Sequence, residues 1–387
     1  MDDTMGAGGP GSQSSLREAN RRRVLSLLQS AGELTQAEIS RRTGLSPATV
    51  SNIAKELTGD NVLVASEGTG RRRVLRLSSS AGLVAGIDFG HTHVTVAVAD
   101  RAHQILASRQ AALDTDISAE SSISFAAALL DKAVRESGHD RGAILAAGMG
   151  LPAPIDSTTG VVGAPSILPG WVGIPANQVM SAELDLPVYV DNDANLGALA
   201  EHAWGAGRGA NNVAYLKLSQ GVGCGLIING ELFRGPDGTA GEVGHTSMDE
   251  FGAVCRCGNR GCLETIVASK AVVRLLEPSR GPLTIDDVIR KASEGDVACS
   301  RVLTDTGRQV GAAVANLCNL FNPERILIGG DLGRAGEIVL EPIRSVVQRS
   351  GIPSAARRLK VIPSELGSQA QVLGAIALAL QRIPNIG

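Results

Sequence analysis

Five times between Leu83 and Gly333 an apolar run of strand length stops at a loop. Four of the loops are rich in glycine, as in "GIDFGHT", "AAGMGLPAP", "KLSQGVGCG" and "ILIGGDLG"; the fifth carries Asn192 and Asp193 in "VYVDNDANLG". Short runs of Val, Ile, Leu and Ala read as buried strands, and the segments between them as hairpins or crossover helices. Strands that end in glycine loops confine this part of the chain to layered α/β lobes with ligands at the strand ends. Hydrophobic residues make up 43% of the chain, ample for two cores, but aromatics are only 2%, so aliphatic side chains must fill them.

The first eighty residues follow a different pattern. Residues 1–14 are rich in Gly and Ser, a composition expected to be disordered. A helix is expected over 15–30, with Val24, Leu27 and Leu28 on one face. "TQAE" has the form of a capping box between Thr35 and Glu38, and that helix should stop near Gly44. Ser46 at N-cap and Pro47 at N1 open a third helix. Its buried stripe is Val50, Ile53, Ala54 and Leu57; Ala48, Thr49, Ser51, Asn52 and Lys55 face outward. Two short capped helices joined by a tight turn predict a helix-turn-helix, whose second helix enters a major groove. Residues 61–77 read as two strands around a tip bearing Arg71, Arg72 and Arg73, a wing suited to phosphates. Double-stranded DNA is the expected partner, met by Ser46, Ala48, Thr49, Ser51, Asn52, Lys55 and the three arginines. The alternative is a packing module with a solvated basic loop.

Charge supports this division. The chain carries a net −3, yet residues 1–80 hold 11 Lys and Arg against 8 Asp and Glu, while the remainder holds 25 against 31. Only the head is suited to a polyanion. No run of 18 apolar residues occurs, so no membrane span is expected, and the first residues lack the charged and apolar regions of a signal peptide. A cytoplasmic location is the expectation. In a reducing compartment clustered cysteines favour metal ligation over disulfides.

Three of the six cysteines lie within eight positions, in the pattern His245-x9-Cys255-x-Cys257-x4-Cys262. Three thiolates and an imidazole form a closed tetrahedral zinc site of structural type, and Gly258 and Gly261 would let the loop turn. Free cysteines or a redox pair are the alternative. Cys224, Cys299 and Cys318 lie in apolar stretches and should be buried thiols. At the first glycine turn Asp88, Gly90 and Thr92 form D-x-G-x-T, which can offer N–H groups to a phosphate and a carboxylate to a metal.

The ordered set D-x-G-x-T, N-D-A-N, G-x-G-x-G, G-E-x-G-H, C-x-C-G-x-x-G-C-x-E and I-G-G resembles the ROK family of repressors, open reading frames and kinases, over essentially all of residues 82–387. The head resembles that of the family's transcriptional regulators. The resemblance implies an α/β chain in which a winged helix-turn-helix over 15–77 and a linker over 78–82 precede a two-lobed, actin/hexokinase-like (ribonuclease H-like) body over 83–387. It also implies a zinc loop over 245–262, a terminal helix packed back on the first lobe, and a homodimer or homotetramer. It assigns a sugar or sugar-derived effector to Asn192, Asp193, Glu242, His245 and Glu264, with Asp193 the base in any kinase.

Two functions fit that body: a regulator that senses its ligand, or an active ATP-dependent sugar kinase with a regulatory head. A kinase would place nucleotide at Asp88, Gly90, Thr92, Gly221 and Gly223, with Mg²⁺ bridging the phosphates. The family's kinases read D-x-G-G-T-K and G-T-G-x-G-x-G at these turns. Here His91 and His93 stand in the first, and Ser219 and Gln220 in the second. Side chains in a phosphate cradle argue against ATP and Mg²⁺ and favour the regulator. On the sugar side Ile167 replaces an asparagine of the kinase pattern, and "GLPAP" replaces G-x-P-G, which leaves the effector's identity open.

Overall fold

The computed structural model describes residues 13–60, 62–67, 73–78, 82–101, 103–113, 118–156, 158–163 and 168–383. Arg71, Arg72 and Ile167, and all but Gln13 and Ser14 of the expected N-terminal tail, lie outside the described residues.

The head begins with α1 (Gln13–Ala31), two residues earlier than the sequence suggests. Strand β1 (Glu33–Leu34), α2 (Gln36–Thr43), α3 (Pro47–Gly59), β2 (Leu63–Glu67) and β3 (Arg73–Leu77) follow. Thr35 and Glu38 form the capping box, and Gly44 ends α2 in the left-handed conformation. Ser46 caps α3 by accepting from the Thr49 N–H. Both caps hold N–H groups that a helix end would otherwise leave unpaired. Val50, Ile53, Ala54 and Leu57 pack with Val24, Leu25 and Leu28, and Leu27 is only partly buried. The wing pairs β2 with β3 antiparallel, Leu63 opposite Leu77 and Glu67 opposite Arg73, and β1 joins β3 on the other edge. Arg21 of α1 reaches Glu56 and Asp60 and ties α1 to α3.

The body contains two five-stranded sheets of one topology. In the first, β4 (Leu83–Phe89), β5 (His93–Asp100) and β6 (Ile105–Ala112) form an antiparallel meander. Helix α4 (Ala119–Glu136) crosses to β7 (Ile144–Leu151), and α5 (Ala176–Leu184) to β8 (Val188–Asn192), both parallel to β4, in the order β6-β5-β4-β7-β8. Helix α6 (Asp193–Trp204) leads to the second sheet. There β9 (Val213–Leu218), β10 (Val222–Ile228) and β11 (Glu231–Phe233) repeat the meander. A helical insertion follows, of α7 (Leu263–Val267), α8 (Ser269–Arg280), α9 (Ile285–Ser293) and α10 (Val297–Phe321). Then come β12 (Arg325–Gly329), α11 (Gly330–Gly333), α12 (Glu337–Ser350), α13 (Pro353–Ala356) and β13 (Lys360–Pro363), giving the order β11-β10-β9-β12-β13.

Helix α14 (Ala370–Arg382) returns to the first sheet. Its Val372, Ile376, Ala379 and Leu380 pack on Val84, Ala97, Ala99 and Ala146. The fit is backbone to backbone. A Cβ at Gly148 would lie 1.9 Å from the Ala375 carbonyl oxygen, and one at Gly374 would lie 2.0 Å from that of Leu196 on α6. Thus α14 joins the first sheet to α6, and α6 packs on the second sheet through Ala198 against Val213 and Tyr215. The strand ends of both lobes then face one cleft.

Candidate functional site

The cleft has a volume of about 500 Å³ and collects residues from both lobes. Asp88, Gly90, His91, Thr92 and His93 come from the β4–β5 turn; Asn192 and Asp193 from the β8–α6 junction; Lys217 to Gly223, except Leu218, from the β9–β10 hairpin. Glu242, His245, Arg256 and Glu264 come from the cysteine loop and its flanks. The expected effector and nucleotide residues therefore share one cavity.

Several of them are already engaged. Asn192 caps α6, accepting from the N–H groups of Ala194 (2.9 Å) and Asn195 (3.4 Å), and its amide donates to the Ala153 carbonyl at 3.1 Å. Asp193 is 6% exposed and receives the Lys217 ammonium at 2.5 Å. Burial opposes the charge on Lys217, but Asp193 and Asp88 outweigh it and raise the ammonium above its usual range. Asp88 is buried, its Oδ1 has no hydrogen-bond partner, and burial pushes its carboxyl up to about 7. Burial, reinforced by Asp193 and Glu264, likewise raises Glu242 to about 7.

The glycines expected to cradle phosphate do other work. A Cβ at Gly223 would meet that of Ala194 at 2.8 Å, so this glycine lets β10 lie on α6. A Cβ at Gly221 would meet Glu264 Oε2 at 3.0 Å and Arg256 Nη2 at 3.1 Å. At Gly90 the space is filled by the His93 ring, 2.4 Å from where a Cβ would stand. Beyond them Ser219 donates to Asp331 at 2.5 Å, which sets a carboxylate beside the turn.

The cysteine loop brings its four donors together. One ligand atom from each of His245, Cys255, Cys257 and Cys262 lies within 4.8 Å of all the others. Cys257 Sγ is 3.7 Å from Cys262 Sγ, and Cys255 Sγ is 3.6 Å from His245 Nδ1. Tetrahedral zinc with Zn–S of about 2.3 Å and Zn–N of about 2.0 Å sets those edges at roughly 3.8 and 3.5 Å. The donor set and spacing therefore fit zinc. The turn is closed by Cys255 accepting from the Gly258 N–H, with Gly258 at φ +94° and Gly261 at φ +61°. His245 Nε2 faces Glu242 Oε2 at 3.8 Å. Arg256, between two of the cysteines, gives its Nε to Glu264 Oε1 at 2.8 Å, while Glu264 Oε2 accepts the Val222 N–H at 3.0 Å. The loop is thereby tied to the cleft at two carboxylates. Cys224, Cys299 and Cys318 are buried, and burial raises the Cys224 thiol to about 12.

Sequence reasoning missed Lys217 and Arg256. Their signals were a single charge in the apolar run "VAYLKL" and the residue inside C-x-C. It also missed Arg234, which gives its Nε to Asp191 at 2.7 Å beside the cleft.

On the head, Ala48, Asn52 and Lys55 of α3 are exposed, as is Arg73 at the wing. Thr49 and Ser51 are partly buried, and Ser46 and Thr49 share a hydroxyl contact of 2.8 Å.

A winged helix-turn-helix joined to two duplicated lobes that close on a carboxylate-lined cleft defines a DNA-binding head on a sugar-kinase-like body. Residues 17–64 match the winged helix-turn-helix DNA-binding family, and residues 84–382 match the ROK family. The chain belongs to the ROK family. The xylose repressor of Caldicellulosiruptor bescii is 30% identical over 96% of this chain and 97% of its own. The crystal structure of a ROK family transcriptional regulator, a homologue of the Escherichia coli Mlc protein, superposes with TM-score 0.77 at 25% identity, covering 95% of this chain and 96% of the other. The Streptomyces griseus ROK glucokinase, in complex with glucose and AMPPNP, gives TM-score 0.70 at 31% identity over 78% of this chain and all of its own. Among the described residues no helix is long and apolar enough to cross a membrane.

Proposed function

We propose that this protein is a transcriptional repressor whose cleft takes a sugar or sugar-derived effector. The observation that carries it is the state of the cleft. The base position, Asp193, is held by Lys217, and the phosphate turns are occupied by packing and side chains. Asp88 and Gln220 line the cleft, and Asp88 Oδ1 and Gln220 Oε1 are buried acceptors without a hydrogen-bond partner. Unsatisfied acceptors suit a ligand rich in hydroxyl donors, whereas a triphosphate brings acceptors only. Repressor relatives that match head and body together support the same reading. Asn52, Lys55 and Arg71 to Arg73 meet operator DNA, and Glu242 and Glu264 meet the effector. Two or four copies place their heads on a symmetric site in the cytoplasm.

His245, Cys255, Cys257 and Cys262 would hold one structural zinc ion. With all four donors supplied by protein, the ion would shape the loop and leave no position for a water to be activated. Held through Nδ1, His245 would keep its Nε2 on the side of Glu242, 3.8 Å from Oε2. Effector binding shifts operator affinity, and DNA shifts effector affinity by the same factor.

The test is a thermal-shift screen with D-xylose, D-glucose and related sugars, then anisotropy on DNA upstream of the gene. A sugar that raises the melting temperature and alters DNA binding is expected. Turnover of any of these sugars with ATP, abolished by Asp193→Asn, would establish the kinase instead.

A further inference from the structure

The two lobes are tied at their sheet edges as well as through helices. Strand β8 is the outer strand of the first sheet, and β11 is that of the second. Asp191 lies in β8, and Arg234 directly follows β11. Arg234 gives its Nε to Asp191 Oδ2 at 2.7 Å, with the carboxylate side chain 7% exposed and the arginine 27%. A carboxylate so far removed from water needs a charged partner, and this one comes from the other lobe. The second oxygen, Oδ1, is used within the first lobe. It accepts the Asn192 N–H and the Asn195 side-chain amide, both at 2.8 Å. One carboxylate thus joins a guanidinium of the second lobe to the first turn of α6. Arg234 is itself anchored: its carbonyl accepts the Ala240 N–H at 3.0 Å, closing the loop that runs on to Glu242.

We propose that Arg234 is a positioning residue for the effector: holding Asp191 from across the lobe boundary, it fixes how Asn192 of the first lobe stands to Glu242 of the second. Asn192 and Glu242 both line the cleft, whereas Arg234 and Asp191 lie behind it and act through them. The Asn192 amide has two hydrogens, of which the Ala153 carbonyl takes one, so the other can go to a ligand hydroxyl. Such a donor is effective only where it is held at the right distance from the acceptors opposite. The proposal rests on the effector reading of the cleft.

The probes are D-xylose, D-glucose and the related sugars of the thermal-shift screen, measured by calorimetry on full-length, zinc-loaded protein. Amide hydrogen exchange of residues 191–195 is followed in the same protein without sugar. Arg234→Ala should weaken binding of the sugar that wild type takes by about tenfold, and should speed exchange of the Asn192 amide, whose acceptor is no longer held. Asp191→Asn should do likewise. The double variant should be no worse than either single change, because both cut one chain of contacts. Arg234→Lys, which keeps a positive charge at Asp191, should recover most of the affinity. A residue that only stabilised the fold would lower the melting temperature and leave the affinity of the folded protein unchanged. That result, or additive losses in the double variant, would overturn the proposal while leaving the effector reading intact. Wild type that binds none of the sugars would sink the effector reading and this proposal with it. Should Arg234→Ala not fold, Arg234→Gln and Asp191→Asn decide.

Discussion

Replacing Arg256 by Ala separates the two things the cysteine loop does. The guanidinium holds Glu264 at 2.8 Å, with the arginine side chain 31% exposed and the carboxylate 9%. A hydrogen bond to a charged group contributes about 1.5–3 kcal/mol, and the partly solvated arginine places this one at the lower end. Without it Glu264 keeps only the Val222 N–H and is free to turn. An effector hydroxyl aimed at Glu264 then loses a positioned acceptor, about 1.4 kcal/mol or tenfold in Kd. Arg256 is not a metal donor, so zinc should stay at one per chain, and the head should keep its affinity for operator. The assay is calorimetry with the sugar that scores in the thermal-shift screen, beside metal analysis and DNA anisotropy. Unchanged effector affinity at full metal content would refute the reasoning, since Glu264 would not need its arginine. Loss of zinc would refute it differently, by showing that Arg256 supports the loop itself.

Cys257→Ser should lose the metal, because a neutral hydroxyl is a poor donor in a thiolate site, and should abolish effector response while operator binding persists. Metal analysis and anisotropy check this, and a normal response without zinc would contradict it. Replacing Arg71, Arg72 and Arg73 with Ala should weaken operator binding and flatten its salt dependence by up to about three counterions; an unchanged slope would remove the wing from the interface. Asp88→Asn tests the buried carboxyl. Its folded value of about 7 lies above its ordinary 3.8, so its contribution to stability is full below pH 4 and is lost as pH rises through 7. The melting temperature of wild type should therefore fall relative to Asp88→Asn across that window, and parallel curves would disprove the burial argument.

The head was legible because its signals are local. Thr35 and Glu38 are three residues apart, Ser46 and Thr49 likewise, and the stripe from Val50 to Leu57 lies on one helix. Leu25 displaced Leu27 from the main core contact because α1 packs on the wing as well as on α2 and α3, a choice made by tertiary contacts. The cysteine loop was legible for the same reason, since its three thiols lie within one turn region. The cleft was legible only in outline. Asn192 and Asp193 were found, but what holds them was not, since Lys217 meets Asp193 through strand order and lobe closure. The glycines of the β9–β10 hairpin read as a phosphate cradle because a glycine beside a ligand and a glycine beside a helix look alike in sequence. At Gly223 only α6, lying on β10, distinguishes them, and at Gly221 only Glu264 and Arg256.

The return of α14 to the first sheet has a consequence for synthesis on the ribosome. When β8 emerges, all five strands of the first lobe exist, but the face formed by Val84, Ala97, Ala99 and Ala146 has nothing to cover it. It stays bare while the whole second lobe is made. The winged head has its own core and can mature at once, whereas the first lobe must wait, its apolar face open to chaperones or to a neighbouring nascent chain. A transcript cut before codon 370 would thus yield a head able to find DNA on a body unable to close. Such a fragment would be a proteolysis substrate, and its operator binding would be deaf to sugar.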